Sequence, residues 1–156
     1  MTKVLFVCTG NICRSPMAES VFWEKVRARG LEGRYSVDSA GTGGWHEGEE
    51  PDPRTIEKLR EKGLDWLTRA RQVRCADFDD FDHILALDSS HNDQLRNWIN
   101  SDPDKVSLLL SWDPESKSKD VPDPYYGGPE GFEHIYVMID AACQSLLDHL
   151  EASSQV

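Results

Sequence analysis

The sequence is poor in cysteine, and its few cysteines lack the spacing of a disulfide framework or a zinc site. Its 156 residues contain four, and no two of them form a CxxC pair. Small secreted folds that depend on disulfides carry many more, and structural zinc sites place theirs in close pairs. The five histidines occur singly, without the spacing of metal ligands. We therefore expect no disulfide framework and no metal site, and we expect solvated or capping roles for the histidines.

Long hydrophobic runs are also missing. No apolar run reaches the roughly 18 residues that a membrane-spanning helix requires. The N-terminal stretch MTKVLFVCTG is apolar but lacks the small-residue cleavage site of a signal peptide, so it is typical of a first strand. We expect a cytoplasmic protein with no membrane partner. The length predicts a single domain over residues 1–156, with a monomer as the default state.

Positive charge is scarce in the second half of the chain. Residues 76–156 contain 4 Lys or Arg and 17 Asp or Glu, whereas residues 1–75 contain 13 and 11, which together give a net charge of −11. An acidic surface repels the phosphates of nucleic acids and anionic lipids, so we expect no nucleic-acid partner. A phosphate group that binds this protein must therefore be held at a local site with a positive field.

Four short apolar segments alternate with segments of helical periodicity. The segments VLFV, HILAL and VSLLL are almost continuous in Val, Ile and Leu, as in parallel strands buried on both faces. The predicted strands are 4–7, 35–40, 83–87 and 106–110. The first predicted helix is capped by Ser15 and ends at Gly30. The other predicted helices are 53–63, 90–100 and an apolar stripe over 132–150. This alternation predicts an α/β fold, a doubly wound four-stranded parallel sheet with helices on both faces.

The stretch VCTGNICRSP directly follows the first predicted strand, where ligands bind in such folds. Five residues separate Cys8 from Arg14, and their amides, with the N-terminus of the next helix, can surround an anion. Arg14 offers a planar fork for phosphate, and Cys8 in the same field is expected to have a lowered pKa and to act as a nucleophile. Gly10 and Asn11 tolerate unusual backbone angles, and the Ser15 hydroxyl can donate to the thiolate. The predicted phosphate-binding residues are Thr9, Gly10, Asn11, Ile12, Cys13 and Ser15.

Four motifs resemble, in order, the low-molecular-weight protein tyrosine phosphatases: VCTGNICRSPMAE, DSAGTGGWHEGEEPDPR, FDHILALD and VPDPYYGG. The resemblance runs from residue 3 to about residue 150 and implies a four-stranded parallel sheet with no metal and no organic cofactor. It implies that Asp123 is the general acid and then the base that activates water against a phosphocysteine. It also implies that Trp45, Tyr125 and Tyr126 line the entrance. The implied partners are a phosphotyrosine-containing protein as substrate and phosphate or another oxyanion as product or inhibitor.

The resemblance further implies a supporting network behind the loop, formed by Asn11, Ser15 and Ser39. Thr68 stands where a histidine often completes this network, and whether it substitutes for that histidine is left open. Asp88 matches an aspartate with a structural role near the site. Cys13 matches a thiol that forms a reversible disulfide with the nucleophile in some members, and a buried structural thiol is the alternative.

Three other functions stay open beside phosphotyrosine hydrolysis. Protein-arginine phosphatases resemble this fold but tend to carry Thr at the position of Ile12 and Phe at that of Tyr125. The bulky Ile12 narrows the pocket and favours a planar ring over a guanidinium. A thioredoxin-coupled arsenate reductase needs a further pair of cysteines, whereas Cys75 stands alone in its region. A module that binds phosphate without turnover is disfavoured by the joint presence of Cys8, Arg14 and Asp123.

Overall fold

A parallel sheet of four strands lies at the centre of the computed structural model, which describes residues 1–125 and 127–154. The strands are β1 (Thr2–Cys8), β2 (Tyr35–Gly41), β3 (His83–Ala86) and β4 (Val106–Leu108). Their order is β2-β1-β3-β4, and every pairing between neighbours is parallel. The predicted four-stranded parallel sheet is therefore confirmed. The last strand ends two residues earlier than predicted, because Leu109–Trp112 form a 3-10 helix whose two leucines pack into the core.

Five α-helices cover the sheet in the described part of the chain. They are α1 (Arg14–Ala28), α2 (Pro53–Glu61), α3 (Asp77–Asp80), α4 (Ser89–Arg96) and α5 (Pro129–Ser154). Sequence periodicity predicted four of them, and α3 is too short to show a period. The prediction that Ser15 caps α1 is wrong, because the helix begins at Arg14 and the Ser15 hydroxyl contacts Cys8 instead. None of these helices is long and apolar enough to span a bilayer.

Both faces of β1 are buried, in strict alternation. Val4 and Phe6 belong to a core shared with α1 and α5, whereas Leu5 and Val7 belong to a second core that includes Phe78 of α3. Successive side chains of a strand point to opposite faces of the sheet, so a strand covered on both sides must be apolar throughout. This arrangement confirms the predicted placement of helices on both faces.

The carboxyl ends of the strands meet at one edge of the sheet, and two loops converge there. Cys8 ends β1 and pairs with Gly41 at the end of β2. Only glycine fits at this position, because a Cβ on Gly41 would lie 2.7 Å from the carbonyl oxygen of Thr9. Beyond β3, the amide of Val121 donates a hydrogen bond to the carbonyl of Leu87 at 2.8 Å. This bond holds the start of the loop that precedes α5 beside the end of β3.

Candidate active site

The loop of residues 8–14 is held by hydrogen bonds from outside it. The amides of Thr42, Gly43 and Asp52 donate to the carbonyls of residues 8, 9 and 12 at 2.8–3.0 Å. Asn11 has a φ of 58°, in the left-handed region that asparagine tolerates, and its Oδ1 accepts from the Arg71 amide at 3.0 Å. The expected unusual backbone angle is thus found at Asn11. Gly10 does not adopt a positive φ, and its missing side chain instead leaves room for His46, whose Cδ2 would lie 3.0 Å from a Cβ.

The Cys8 thiol is buried and hydrogen-bonded to Ser15. The Cys8 Sγ lies 2.9 Å from the Ser15 Oγ, which accepts a hydrogen bond from the Asn11 Nδ2 at 2.8 Å. The same Nδ2 donates to the Ser39 Oγ at 2.9 Å. The Ser15 proton has two acceptors within reach, the Cys8 sulfur at 2.9 Å and the carbonyl of Ala40 at 3.5 Å, and the sulfur is the nearer. These bonds join the three side chains that were expected to support the loop.

Behind this network lies a buried carboxyl group that sequence reasoning missed. The Oε1 of Glu19 accepts from the Ser39 hydroxyl at 2.6 Å and from the Thr68 hydroxyl at 2.7 Å. Burial raises the pKa of Glu19 to about 7, although both hydrogen bonds lower it. Thr68 therefore does take part in the network. The available signal for Glu19 was its position four residues after Ser15, which places both side chains on one face of α1.

Arg14 is anchored on the side opposite to Cys8. Its guanidinium is buried, and Nη1 donates to the Oδ2 of Asp88 and to the carbonyl of Val121, both at 2.8 Å. Burial raises the pKa of the Asp88 carboxyl, but hydrogen bonds from Ser90 and Arg14 outweigh it and hold that pKa below its ordinary value. Asp88 also caps α4 by accepting from a backbone amide of the first turn. The second nitrogen, Nη2, lies 3.8 Å from the Oδ2 of Asp123.

Asp123 and two aromatic residues stand at the opening of the cavity. The Asp123 carboxylate is half exposed, and its Oδ1 accepts from the Tyr125 amide at 3.0 Å. The Trp45 side chain is 73% exposed and Tyr125 is 40% exposed. They enclose a cavity of about 240 Å³, lined by Cys8, Thr9, Gly10, Ile12, Cys13, Arg14, Trp45, His46, Asp123 and Tyr125. Tyr126, also expected at this entrance, lies outside the described residues.

Two histidines belong to the site although the sequence predicted solvated or capping roles for all five. His91 is 1% exposed, and its Nε2 lies 2.7 Å from the Oγ1 of Thr9. His46 lines the cavity, and its Nδ1 lies 2.6 Å from the Oε2 of Glu49. The prediction is wrong for His91 because α4 packs its first turn against the loop. The signal that could have indicated His91 is its position three residues after Asp88, on one helix face.

The Cys13 thiol is buried at the N-cap of α1. Burial raises its pKa to about 12, and the nearby carboxylate of Asp52 adds to the rise. Cys8 and Cys13 are both free thiols in this structure. Cys13 also lines the cavity that contains Cys8, so the reversible disulfide and the structural thiol both stay predictions. Within the described residues, no three His, Cys, Asp or Glu side chains are grouped closely enough to hold a metal ion.

Comparisons with known proteins agree with this geometry. The family model described as low molecular weight phosphotyrosine protein phosphatase matches residues 3–156. The low molecular weight protein-tyrosine-phosphatase of Streptomyces coelicolor is 50% identical over 149 residues, which cover 93% of this chain and 91% of that protein. The crystal structure of YfkJ from Bacillus subtilis is 42% identical, with a TM-score of 0.93 and coverage of 98% and 96% of the two chains. That of DARP, a Drosophila arginine phosphatase, is 36% identical, with a TM-score of 0.87 and coverage of 96% and 98%.

The likeness extends over nearly the whole chain in sequence and in structure. The predicted family, the predicted fold and the predicted enzyme class are therefore confirmed together. This chain belongs to the low-molecular-weight phosphotyrosine protein phosphatase family, a family of hydrolases.

Proposed function

We propose that this protein hydrolyses phosphotyrosine in protein substrates through a phosphocysteine intermediate and releases phosphate. The observation that carries the proposal is one cavity with the Cys8 thiol and the Arg14 guanidinium in its buried part. The half-exposed Asp123 carboxylate and the exposed rings of Trp45 and Tyr125 form its opening. One cavity thus contains a nucleophile, an oxyanion ligand, a proton donor and an aromatic wall. Transfer of a phosphoryl group from an aryl ester requires these groups together.

The residues have the following roles in the proposed reaction. The Cys8 thiolate attacks phosphorus and the bond from phosphorus to the tyrosine oxygen breaks, while Asp123 donates its proton to that oxygen. In the second step Asp123 accepts a proton from water, the water oxygen attacks phosphorus, and the bond from sulfur to phosphorus breaks. Arg14 balances the negative charge on the phosphate oxygens in both steps. The Ser15 hydroxyl donates to the sulfur when it leaves as thiolate.

Phosphotyrosine is proposed over phosphoarginine because of the residues at the cavity wall. Ile12 and Tyr125 line the cavity, and they present an apolar branched side chain and a flat ring to the substrate. A planar phenyl group packs well against such a wall, whereas the N–H groups of a phosphorylated guanidinium find no acceptor on the apolar side chain of Ile12. The likeness to a Drosophila arginine phosphatase makes phosphoarginine the alternative to test.

The proposal also covers the domain organisation of the protein, its location, its sensitivity to oxidation and its oligomeric state. The two cores share one sheet, which supports a single domain over residues 1–156. We propose a cytoplasmic location, because the four cysteines lack the spacing of a disulfide framework, as is typical of proteins from a reducing compartment. Because Cys8 is the proposed nucleophile, oxidation of its sulfur would stop turnover. We propose that the protein acts as a monomer, because one cavity of this chain already contains the nucleophile, the oxyanion ligand and the proton donor.

The test is a side-by-side measurement of kcat/KM on phosphotyrosine and phosphoarginine peptides of the same sequence. We expect a preference for phosphotyrosine of at least about 100-fold, no turnover by Cys8→Ser, and a smaller preference for Ile12→Thr. Trapping with acid during turnover should yield a phosphorylated wild-type protein with a thiophosphate bond at Cys8. A preference for phosphoarginine would contradict the substrate, and unchanged turnover by Cys8→Ser would contradict the mechanism.

A further inference from the structure

His91 closes a ring of contacts around the guanidinium of Arg14. Its Nε2 lies 2.7 Å from the Oγ1 of Thr9, and this oxygen lies 3.5 Å from the Nη2 of Arg14. On its other side, the His91 Nδ1 lies 3.1 Å from the Oδ1 of Asp88, whose second oxygen accepts from the Nη1 of Arg14. The His91 amide donates to the same Oδ1 at 3.1 Å, which fixes the ring relative to the carboxylate.

The surroundings determine which ring nitrogen of His91 carries the proton. Burial lowers the pKa of His91 to about 4, so the ring is neutral near pH 7. The Nδ1 has no aligned hydrogen-bond partner among the described residues, but the carboxylate of Asp88 lies closest to it and its negative charge favours a proton there. The Nε2 is then an acceptor, and the Thr9 hydroxyl donates to it.

This direction of the hydrogen bond determines what Thr9 presents to Arg14. A hydroxyl that donates its proton to His91 turns its lone pairs toward the Nη2 of Arg14. With no acceptor at position 91, the hydroxyl proton is free to rotate toward the guanidinium, where it faces another positive group. Nη1 has two contacts at 2.8 Å, whereas the contacts of Nη2 with described residues are to Thr9 at 3.5 Å and Asp123 at 3.8 Å. Thr9 is therefore the closer of these two groups to Nη2, and its lone pairs add to the hold that the two bonds of Nη1 exert on the rigid guanidinium.

We propose that His91 is a positioning residue for Arg14, which it holds through the hydroxyl of Thr9 so that Nη2 faces the cavity before phosphate binds. The inference rests on the proposed function, because it assigns Arg14 to the phosphate group. A donor that is already oriented costs no reorganisation when charge develops on the phosphate, and small misplacements at such sites cost large factors in rate.

The variants His91→Leu and His91→Gln separate positioning from simple packing. Leucine fills a similar volume without an acceptor, whereas glutamine offers an amide oxygen that can accept from Thr9. We expect His91→Leu to lower kcat/KM on a phosphotyrosine peptide and to weaken the binding of inorganic phosphate, each about 10-fold. We expect His91→Gln to retain most of the wild-type kcat/KM and most of the wild-type affinity for phosphate. Equal losses in the two variants, or no loss in His91→Leu, would overturn the proposal.

A double-mutant cycle with Thr9→Val tests whether His91 acts through Thr9. We expect the phosphate affinity of the double variant with His91→Leu to equal that of Thr9→Val alone, because the same hydrogen bond is already lost. If the loss of phosphate affinity in the double variant equals the product of the two single losses, His91 acts by a route other than Thr9, which would contradict the proposal. Thermal unfolding of each variant verifies that it is folded.

Phosphate binding also separates the failure of this inference from failure of the proposed function. Isothermal titration with inorganic phosphate needs no turnover, so it reports on Arg14 even if the wild-type protein hydrolyses neither phosphopeptide. Weakened phosphate binding in His91→Leu, together with an inactive wild type, would support the positioning role and contradict the proposed reaction. Full activity in the wild type with unchanged phosphate binding in His91→Leu would contradict the positioning role and support the proposed reaction.

Discussion

Replacement of Glu19 by Gln should remove a large part of the pH dependence of stability. Burial raises the pKa of this carboxyl from its ordinary value of 4.5 to about 7. Between these values the native protein keeps a proton that the unfolded chain has released, so the free energy of unfolding falls as the pH rises. Integrated from pH 5 to pH 8, this difference lowers the stability of the wild type by about 2–3 kcal/mol.

The structure indicates that glutamine can replace the acid at this position. The Oε1 of Glu19 is the acceptor for Ser39 and Thr68, and a glutamine side chain keeps a carbonyl oxygen that can accept both hydrogen bonds. The other oxygen, Oε2, is buried without a hydrogen-bond partner among the described residues, so the ionised form is poorly compensated there. Glu19→Gln should therefore become more stable relative to the wild type as the pH rises.

Urea denaturation at pH 5, 6.5 and 8 measures this effect. Glu24→Gln is the matched control, because Glu24 lies on the same helix with its side chain 48% exposed. We expect the control to follow the wild-type pH dependence. The stability of Glu19→Gln relative to wild type should increase by about 2–3 kcal/mol from pH 5 to pH 8. The titration of His91 is common to all three proteins and cancels in the comparison. Parallel curves for Glu19→Gln and wild type would refute the reasoning.

Three further substitutions test the site and the loop. Arg14→Lys should lower kcat on a phosphotyrosine peptide by about 100-fold, because an ammonium group lacks the planar pair of donors of the guanidinium. A kcat within about threefold of wild type would show that Arg14 has no role in the mechanism. Asp123→Asn should slow hydrolysis of phenyl phosphate far more than that of an activated nitrophenyl ester, since only the poorer leaving group needs the acid; equal losses would contradict that role. Gly41→Ala should lower the free energy of unfolding in urea by about 2 kcal/mol, because its Cβ would lie 2.7 Å from a loop carbonyl. Gly33→Ala, with open space around the added Cβ, is its control, and equal effects of the two would disprove the steric argument.

The features that followed from the sequence are those whose residues are contiguous or periodic. Cys8, Arg14 and Ser15 lie within eight consecutive positions, so their spacing alone predicts a loop that surrounds an anion. The strands were found because a parallel strand covered on both faces must be apolar at every position, which Val4–Val7 satisfy. Helix α5 was also found from its sequence, because its buried residues recur with helical spacing along one face.

Local signals were misleading where a tertiary contact outweighed them. Ser15 is a favourable helix cap by residue type, but its hydroxyl is engaged with the thiol of Cys8, and the helix begins one residue earlier. Leu109 and Leu110 have the composition of a strand, yet they leave the sheet as a 3-10 helix that packs against α5. Gly10 was expected to tolerate an unusual backbone angle, whereas it has no positive φ and a Cβ there would instead lie 3.0 Å from the ring of His46.

The sequence by itself determined the family, the parallel sheet and the chemistry of the loop. Only the tertiary structure decided which distant polar groups are buried against that loop. Glu19 meets Thr68 across 49 positions, and His91 meets Thr9 across 82. Whether a polar side chain is solvated or buried depends on which element packs over it, and a short stretch of sequence does not contain that information. The solvated or capping role expected for His91 was wrong for this reason, because the packing of α4 against the loop removes its ring from water.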